Sequence, residues 1–136
     1  MKATVDANIL FSSLLRKGIT RKIWFGPEIE LYATEFLLTE SKKYSSFLRK
    51  KFSGTDEECR LLLQALFSQL SLVKDADLKP FLPAAASLLK DPKDWLYLAC
   101  ALKEDTIIWS NDKHFKEQKR VRAMTTSELV KEIGTL

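Results

Sequence analysis

Short apolar runs alternate along this chain with longer stretches in which apolar residues recur every three or four positions. Lys2 to Val5 is a β-prone run, and Ala7 to Leu15 then sets Leu10, Leu14 and Leu15 on one helical stripe that Gly18 ends. Thr20 is placed to cap a second helix through Ile23 and Trp24, stopped by Gly26-Pro27, and Ile29 to Ala33 reads as a second strand. Thr34 opens the next element. From Glu35 to about Phe52, the residues Phe36, Leu37, Tyr44, Phe47 and Leu48 keep helical spacing until Ser53-Gly54.

Thr55 with Glu58 forms a capping-box pattern ahead of a helix carrying Leu61, Leu62, Ala65 and Leu66, and Ser71 to Lys74 follows as a brief strand. Pro80 and Pro83 predict an irregular helical connection. Asp91-Pro92 followed by Asp94 is a start signal for a helix over Lys93 to Lys103. Thr106 to Trp109 is a strand of β-branched and aromatic residues, Val121 to Met124 a final short strand, and Thr126 to about Ile133 a last helix. Strands separated by helices require long return elements, which predicts an α/β three-layer sandwich with a mostly parallel sheet of about five strands. Ligands in such sheets bind beyond the carboxyl ends of the strands, so the residues just after each strand carry the functional interest.

Composition narrows the class. At 136 residues, 46% apolar and 29% charged, with four Gly and four Pro, the chain is expected to form a single domain over 1–136 and is neither disordered nor collagenous. Its longest apolar run, Trp95 to Leu102, is closed by Asp94 and Lys103, too short to span a bilayer. Asp6 interrupts the start where a signal peptide needs an unbroken apolar stretch, so a cytoplasmic location is expected. Cys59 and Cys100 lie in apolar helical settings and build neither a disulfide framework nor a zinc site. The net charge of +4 is mild, so the distribution of charge matters more than its sum.

Four carboxylates fall where they can converge on the carboxyl edge: Asp6 after the first strand, Glu40 in the third helix, Asp94 at the head of the penultimate helix and Asp112 after the fourth strand. Three have ordinary alternatives. Asp6 could merely cap the helix after it, Asp94 could be no more than part of a helix start that Asp91 caps, and Asp112 sits in a turn-like Ser-Asn-Asp-Lys string. Glu40 is harder to explain, because it lies four residues after Phe36 and four before Tyr44, on the apolar stripe of its helix. A buried carboxylate needs a cation, a hydrogen-bond network or a metal. Carboxylates gathered without a cation repel one another, and a hard divalent ion with oxygen ligands resolves the conflict; Mg²⁺ or Mn²⁺ is expected, as one or two ions.

Taken together, VDANIL at the start, Glu40 after the second strand, DPKDWLYLACAL and IIWSNDKHF resemble the PIN-domain ribonucleases over nearly the whole chain. The resemblance implies a PIN-like fold and a metal-dependent endonuclease that cuts RNA, commonly the VapC-like toxin of a toxin–antitoxin pair. By matching position it makes Asp6, Glu40, Asp94 and Asp112 the catalytic and metal-ligating acids, ranks Asp91 below them, and gives Asn8 and Ser110 supporting roles. An antitoxin protein and a second copy of the chain are the partners it implies. Cys100 departs from the aliphatic residue usual in the family's helix, which bears on packing alone.

With two ions, in-line attack by an activated water would leave a 5′-phosphate. Phosphate contacts are expected from the cations after Asp112, where Lys113, Lys116, Lys119, Arg120 and Arg122 outnumber two acids between Ser110 and Arg122. His114, the sole histidine, joins Lys113, Lys116, Lys119 and Arg120 as a phosphate contact and not as a general base. Lys42-Lys43 and Arg49-Lys50-Lys51 read as a solvated face, and Trp24, Trp95 and Trp109 as core. An Asp-nucleophile phosphohydrolase wants an acid where Asn8 stands, and a receiver domain wants an acidic pair that Lys2 to Val5 lacks. The remaining alternative is a catalytically silent PIN-like scaffold that binds RNA or protein.

Overall fold

The structure is a computed structural model and describes residues 1–134. Its strands are β1 (Lys2–Val5), β2 (Glu30–Thr34), β3 (Leu70–Val73), β4 (Ile107–Trp109) and β5 (Ala123–Met124). The helices are α1 (Ala7–Leu15), α2 (Ile19–Phe25), α3 (Glu35–Lys43), α4 (Ser45–Lys51), α5 (Asp56–Ser68), α6 (Asp75–Leu78), α7 (Leu82–Leu88), α8 (Trp95–Glu104) and α9 (Thr126–Ile133). Short 3₁₀ turns occupy Lys79–Phe81, Pro92–Asp94 and Lys113–Glu117.

All neighbouring strands pair parallel, in the order β3-β2-β1-β4-β5, so the sheet is wholly parallel and of the expected five strands. From β1 the chain steps outward through β2 to β3 and then returns over the sheet to β4. Because parallel crossovers are right-handed, that reversal places α1 to α5 on one face and α6 to α8 on the other. The packing agrees: α1 contacts α2, α3, α4 and α5, whereas α8 lies across β1, β2 and β4 with α6 and α7 beside it. Both faces of β1 are therefore covered, and Ala3, Thr4 and Val5 are all fully buried.

Trp24 and Trp109 are core residues with tilted rings 6.3 Å apart, and Trp24 Nε1 donates to Leu66 O at 3.0 Å. Between β1 and α8, Thr4 Oγ1 lies 2.7 Å from Thr106 Oγ1 and 3.5 Å from Cys100 Sγ. The two small polar groups satisfy one another, and Cys100 fits as a small packing residue.

Four local expectations need correction. Helix α2 starts at Ile19 with Gly18 as its cap, not at Thr20. Arg21 explains this, since it reaches back to Ser13 O and Leu14 O at 2.7 and 2.9 Å and joins the end of α1 directly to α2. The long helix from Glu35 is two helices, because Tyr44 takes φ −99° and ψ 12° at the junction of α3 and α4. The last strand is shorter than Val121–Met124, because Gln118 takes both backbone groups of Val121 away from the ladder: Val121 N donates to Oε1 at 2.8 Å and Nε2 donates to Val121 O at 2.7 Å. Pro92–Asp94 forms a 3₁₀ turn, and α8 proper begins at Trp95.

Candidate functional site

β1 and β4 lie side by side with Val5 opposite Trp109, so the next residues along, Asp6 and Ser110, emerge together at the carboxyl edge. This is also where the strand order reverses, the position at which open α/β sheets bind ligands. A cleft of about 430 Å³ opens there, and Asp6, Glu40, Asp94 and Asp112 all line it. Residues just after β1 and β4, from α3 and from the 3₁₀ turn ahead of α8 thus meet at one place.

Asp6 caps α1 and faces the cleft at once. Its Oδ1 accepts from Ile9 N at 3.0 Å, and its Oδ2 accepts from the Ser110 hydroxyl. Burial raises the Asp6 carboxyl above its ordinary value, the Ser110 hydroxyl and the Ile9 amide pull it back down, and the Asp112 charge raises it further. Ser110 in turn accepts from Asp112 N at 3.0 Å, so one hydroxyl ties the ends of two strands together. Asp112 is half-buried and starts the 3₁₀ turn by accepting from His114 N at 2.9 Å. Asn8 is exposed at the cleft edge, with its amide beside the Asp6 carboxylate.

Asp94 is a buried acid with a strongly raised carboxyl. It is 8% exposed, and its Oδ2 is buried without a hydrogen-bond partner. Its carboxyl is pushed up to about 6, by burial first and then by the charges of Asp112 and Asp91, against a lowering by His114. Glu40 is half-buried on the opposite wall, not enclosed as its helical stripe suggested. Asp91 is exposed and accepts from Lys93 N at 3.0 Å, as a cap. Ligand atoms of Asp91, Asp94 and His114 lie within 4.8 Å of one another, making this trio the tightest grouping of metal-ligating side chains among the described residues. His114 Nδ1 is 3.3 Å from Asp112 Oδ1 and 3.8 Å from Asp94 Oδ2.

The predicted phosphate contacts divide. Of that group only His114 lines the cleft. Lys116 is held by Glu128 at 2.7 Å, and Lys113 and Lys119 are exposed outside the lining. Arg120 sits with Lys2 and Ile107 at the amino-terminal edge of the sheet, the opposite pole from the acids. The run after Asp112 turns through its 3₁₀ helix and crosses the sheet's length before β5, which carries Arg120 away.

The cleft's cations are instead Lys43 and Lys93, and its wall includes Phe11, Phe36, Tyr44 and Phe47. Phe11 and Tyr44 meet edge to face at 5.9 Å, while Phe47 stays 54% exposed with Lys51 Nζ 5.7 Å from its ring centre. Tyr97 lines the cleft between the rings of Phe36 and Phe115, and burial together with the Asp6, Glu40 and Asp94 charges drives its hydroxyl far above the ordinary tyrosine value. The missed residues carried a signal: Lys43 is three positions after Glu40 and Tyr97 three after Asp94, hence on the same helical faces as those acids.

A family model described as PIN domain matches residues 4–132. Among solved structures, a chain of VapBC2 from Rickettsia felis, bound to a DNA fragment from their promoter, is similar with a TM-score of 0.70 and 15% identity, covering 92% of this chain and 98% of that one. A chain of a toxin–antitoxin complex from Klebsiella pneumoniae is similar with a TM-score of 0.63 and 16% identity, over 91% of this chain and 97% of that one. No curated protein matches the sequence.

Proposed function

The chain belongs to the PIN-domain family, and from that premise we propose that it is a divalent-metal-dependent endoribonuclease, acting as a single domain over 1–136, with Asp6, Glu40, Asp94 and Asp112 as its catalytic acids. One observation carries the reading: Asp94, whose Oδ2 is buried without a hydrogen-bond partner, lines a cleft together with three further carboxylates. A hydrogen-bonded structural aspartate would have its lone pairs occupied, whereas this one is left as a ligand would require. The donors are oxygens of carboxylates, which suits Mg²⁺ or Mn²⁺.

Asp6, Asp94 and Asp112, with Glu40 across the cleft, would hold the ion, and Ser110 keeps Asp6 turned toward it. When bound, the ion supplies Lewis acidity, lowering the pKa of an attacking water and offsetting charge on the phosphate. Lys43 and Lys93 are placed to hold the backbone phosphates, and Tyr97, kept protonated, offers its hydroxyl as a donor at the cleft floor. The aromatic wall from Phe36 to Phe47 favours RNA with unpaired bases, since bases splayed from a strand stack on such rings.

An antitoxin partner and a toxin role are proposed on the likeness to the two toxin–antitoxin structures, and a homodimer and a cytoplasmic location go with that role. Among the described residues no helix is long and apolar enough to cross a membrane. The test is cleavage of a single-stranded RNA by the purified chain. Activity with Mg²⁺ or Mn²⁺ that EDTA and Asp94→Asn each abolish is expected; cleavage that persists in EDTA overturns the metal mechanism. RNA binding without cleavage under any divalent ion identifies the silent scaffold.

A further inference from the structure

A second depression, of about 450 Å³, lies at the amino-terminal edge of the sheet and shares no residue with the acidic cleft. The approaches to β1, β4 and β5 stand side by side there, and the end of α8 closes one side. Its lining holds three cationic side chains, Lys2, Arg120 and Arg122, against one acid, Asp105. We propose that this depression binds a nucleoside di- or triphosphate, with the phosphates on the cations and the base against Leu102, Ile107 and Val121.

Charged side chains ordinarily cover solvated outer faces, whereas these three line a hollow. Among the described residues neither Lys2 nor Arg120 forms a salt bridge. Arg122 pairs with Glu132 at 3.2 Å, an exposed pair of small net worth that an anion can share or displace. The loop that carries both arginines is also fixed before any ligand arrives. Val121, between them, is buried and has its amide and carbonyl held by the Gln118 side chain, and Arg122 O accepts from Ile108 N at 2.9 Å. That backbone has little freedom left to lose, so the guanidinium forks can take phosphate oxygens with little further ordering.

The lining is too mixed for phosphate alone. Asp105 ends α8 in the left-handed region, at φ 54° and ψ 54°, and the carbonyl end of the helix adds negative charge beside it. Phosphates are thereby steered toward Arg120 and Arg122, and Asp105 is left to accept from ribose hydroxyls. Leu102 and Ile107 are half-buried and offer an apolar strip to a base, in a hollow whose volume falls within the range of small-ligand sites. The site needs nothing from the acidic cleft, and nucleotide bound there would leave the cleft open.

The test is calorimetric titration of ATP, and separately of GTP, into the untagged full chain. The protein is freed of metal, so that the acidic cleft cannot take nucleotide through an ion, and kept at about 0.15 M salt, which screens exposed charges. Saturable binding of at least one nucleotide, at one per chain, is expected. Adenosine or guanosine and inorganic tripolyphosphate should each bind at least roughly tenfold more weakly, because each makes only part of the contacts. Lys2→Ala and Arg120→Ala, both at exposed positions, should each weaken binding by about tenfold or more, and Lys43→Ala in the acidic cleft should leave it unchanged. No saturable heat with either nucleotide overturns the site, as does binding lost in Lys43→Ala and kept in Arg120→Ala. Tripolyphosphate that binds as tightly as the nucleotide overturns the nucleoside assignment. A short unpaired RNA that displaces the nucleotide overturns a separate site and makes the hollow part of the RNA path.

Discussion

Ser110 donates its hydroxyl to Asp6 across 104 positions of sequence, and the same oxygen receives the amide of Asp112. The contact exists because β1 and β4 end in register, so the last residues of two strands become the first residues of one site. Ser110→Ala leaves the Asp6 carboxylate free to rotate and the Asp112 amide without its acceptor. The expected outcome is a divalent-ion affinity about 10–100-fold weaker, with a loss of stability of about 1–3 kcal/mol. Calorimetric titration of Mn²⁺ and urea unfolding separate the two effects.

The Asp94 carboxyl gives a pH dependence of unusual sign. Its folded value, about 6, lies above the ordinary 3.8, so the folded chain holds that proton more tightly than the unfolded one. Below about pH 4 the group is protonated in both states and contributes nothing. As pH rises through the window from 3.8 to about 6, the metal-free protein loses stability, and above it the penalty is complete. Asp94→Asn therefore melts higher than the wild type in EDTA at pH 7.5, by a few degrees, and the difference closes near pH 4. Scanning fluorimetry at both pH values checks it; a lower melting temperature for Asp94→Asn at pH 7.5 contradicts the assigned burial.

Much of this was legible in the chain, and the parts that were not have definite causes. β1, α1 and the Thr55–Glu58 capping box are local objects, written in β-propensity, apolar spacing and cap chemistry, and they stand where the sequence placed them. The four acids that line one cleft stood out because a carboxylate after a strand or on an apolar face contradicts its local setting. Arg120 lies away from the cleft for the opposite reason. Nearness in sequence to Asp112 said nothing about the direction of the chain after it, and Gln118, whose side chain makes three bonds to backbone, turns that segment away. Lys43 was set aside as one of a solvated run, because its proximity to the acids depends on how α3 leans over the sheet.

Gln118 is itself testable. It is 5% exposed, and its amide binds Phe115 O, Val121 O and Val121 N at 2.7–2.8 Å. Gln118→Ala leaves those buried backbone groups unpaired, at a cost of about 2–3 kcal/mol. Because the clamp holds the turn that carries Asp112 and His114, activity should fall further than stability alone explains. Gln118→Glu, which keeps one acceptor and loses both donated bonds, should fall between. Denaturant midpoints and initial cleavage rates, taken on the same preparations, decide the order.

The aromatic wall and its cations should separate from the proposed catalytic acids in their effect on kinetics. Lys43 and Phe47 border the cleft from α3 and α4, and the α3–α4 segment from Lys42 to Lys51 holds five cations and no acid. Among the described residues none of the five forms a salt bridge, so their charge is free to meet a phosphate backbone. Lys43→Ala should raise KM several-fold, leave kcat nearly unchanged and flatten the dependence of KM on salt by about one phosphate contact. Phe47→Ala should raise KM for single-stranded RNA by the equivalent of about 1–3 kcal/mol of stacking, with no change in salt dependence and, at an exposed position, none in stability. Arg120→Ala, at the other pole of the sheet, should alter neither constant. An Arg120→Ala effect as large as that of Lys43→Ala would mean that RNA runs around the molecule to its amino-terminal edge, and the cleft alone would no longer account for binding.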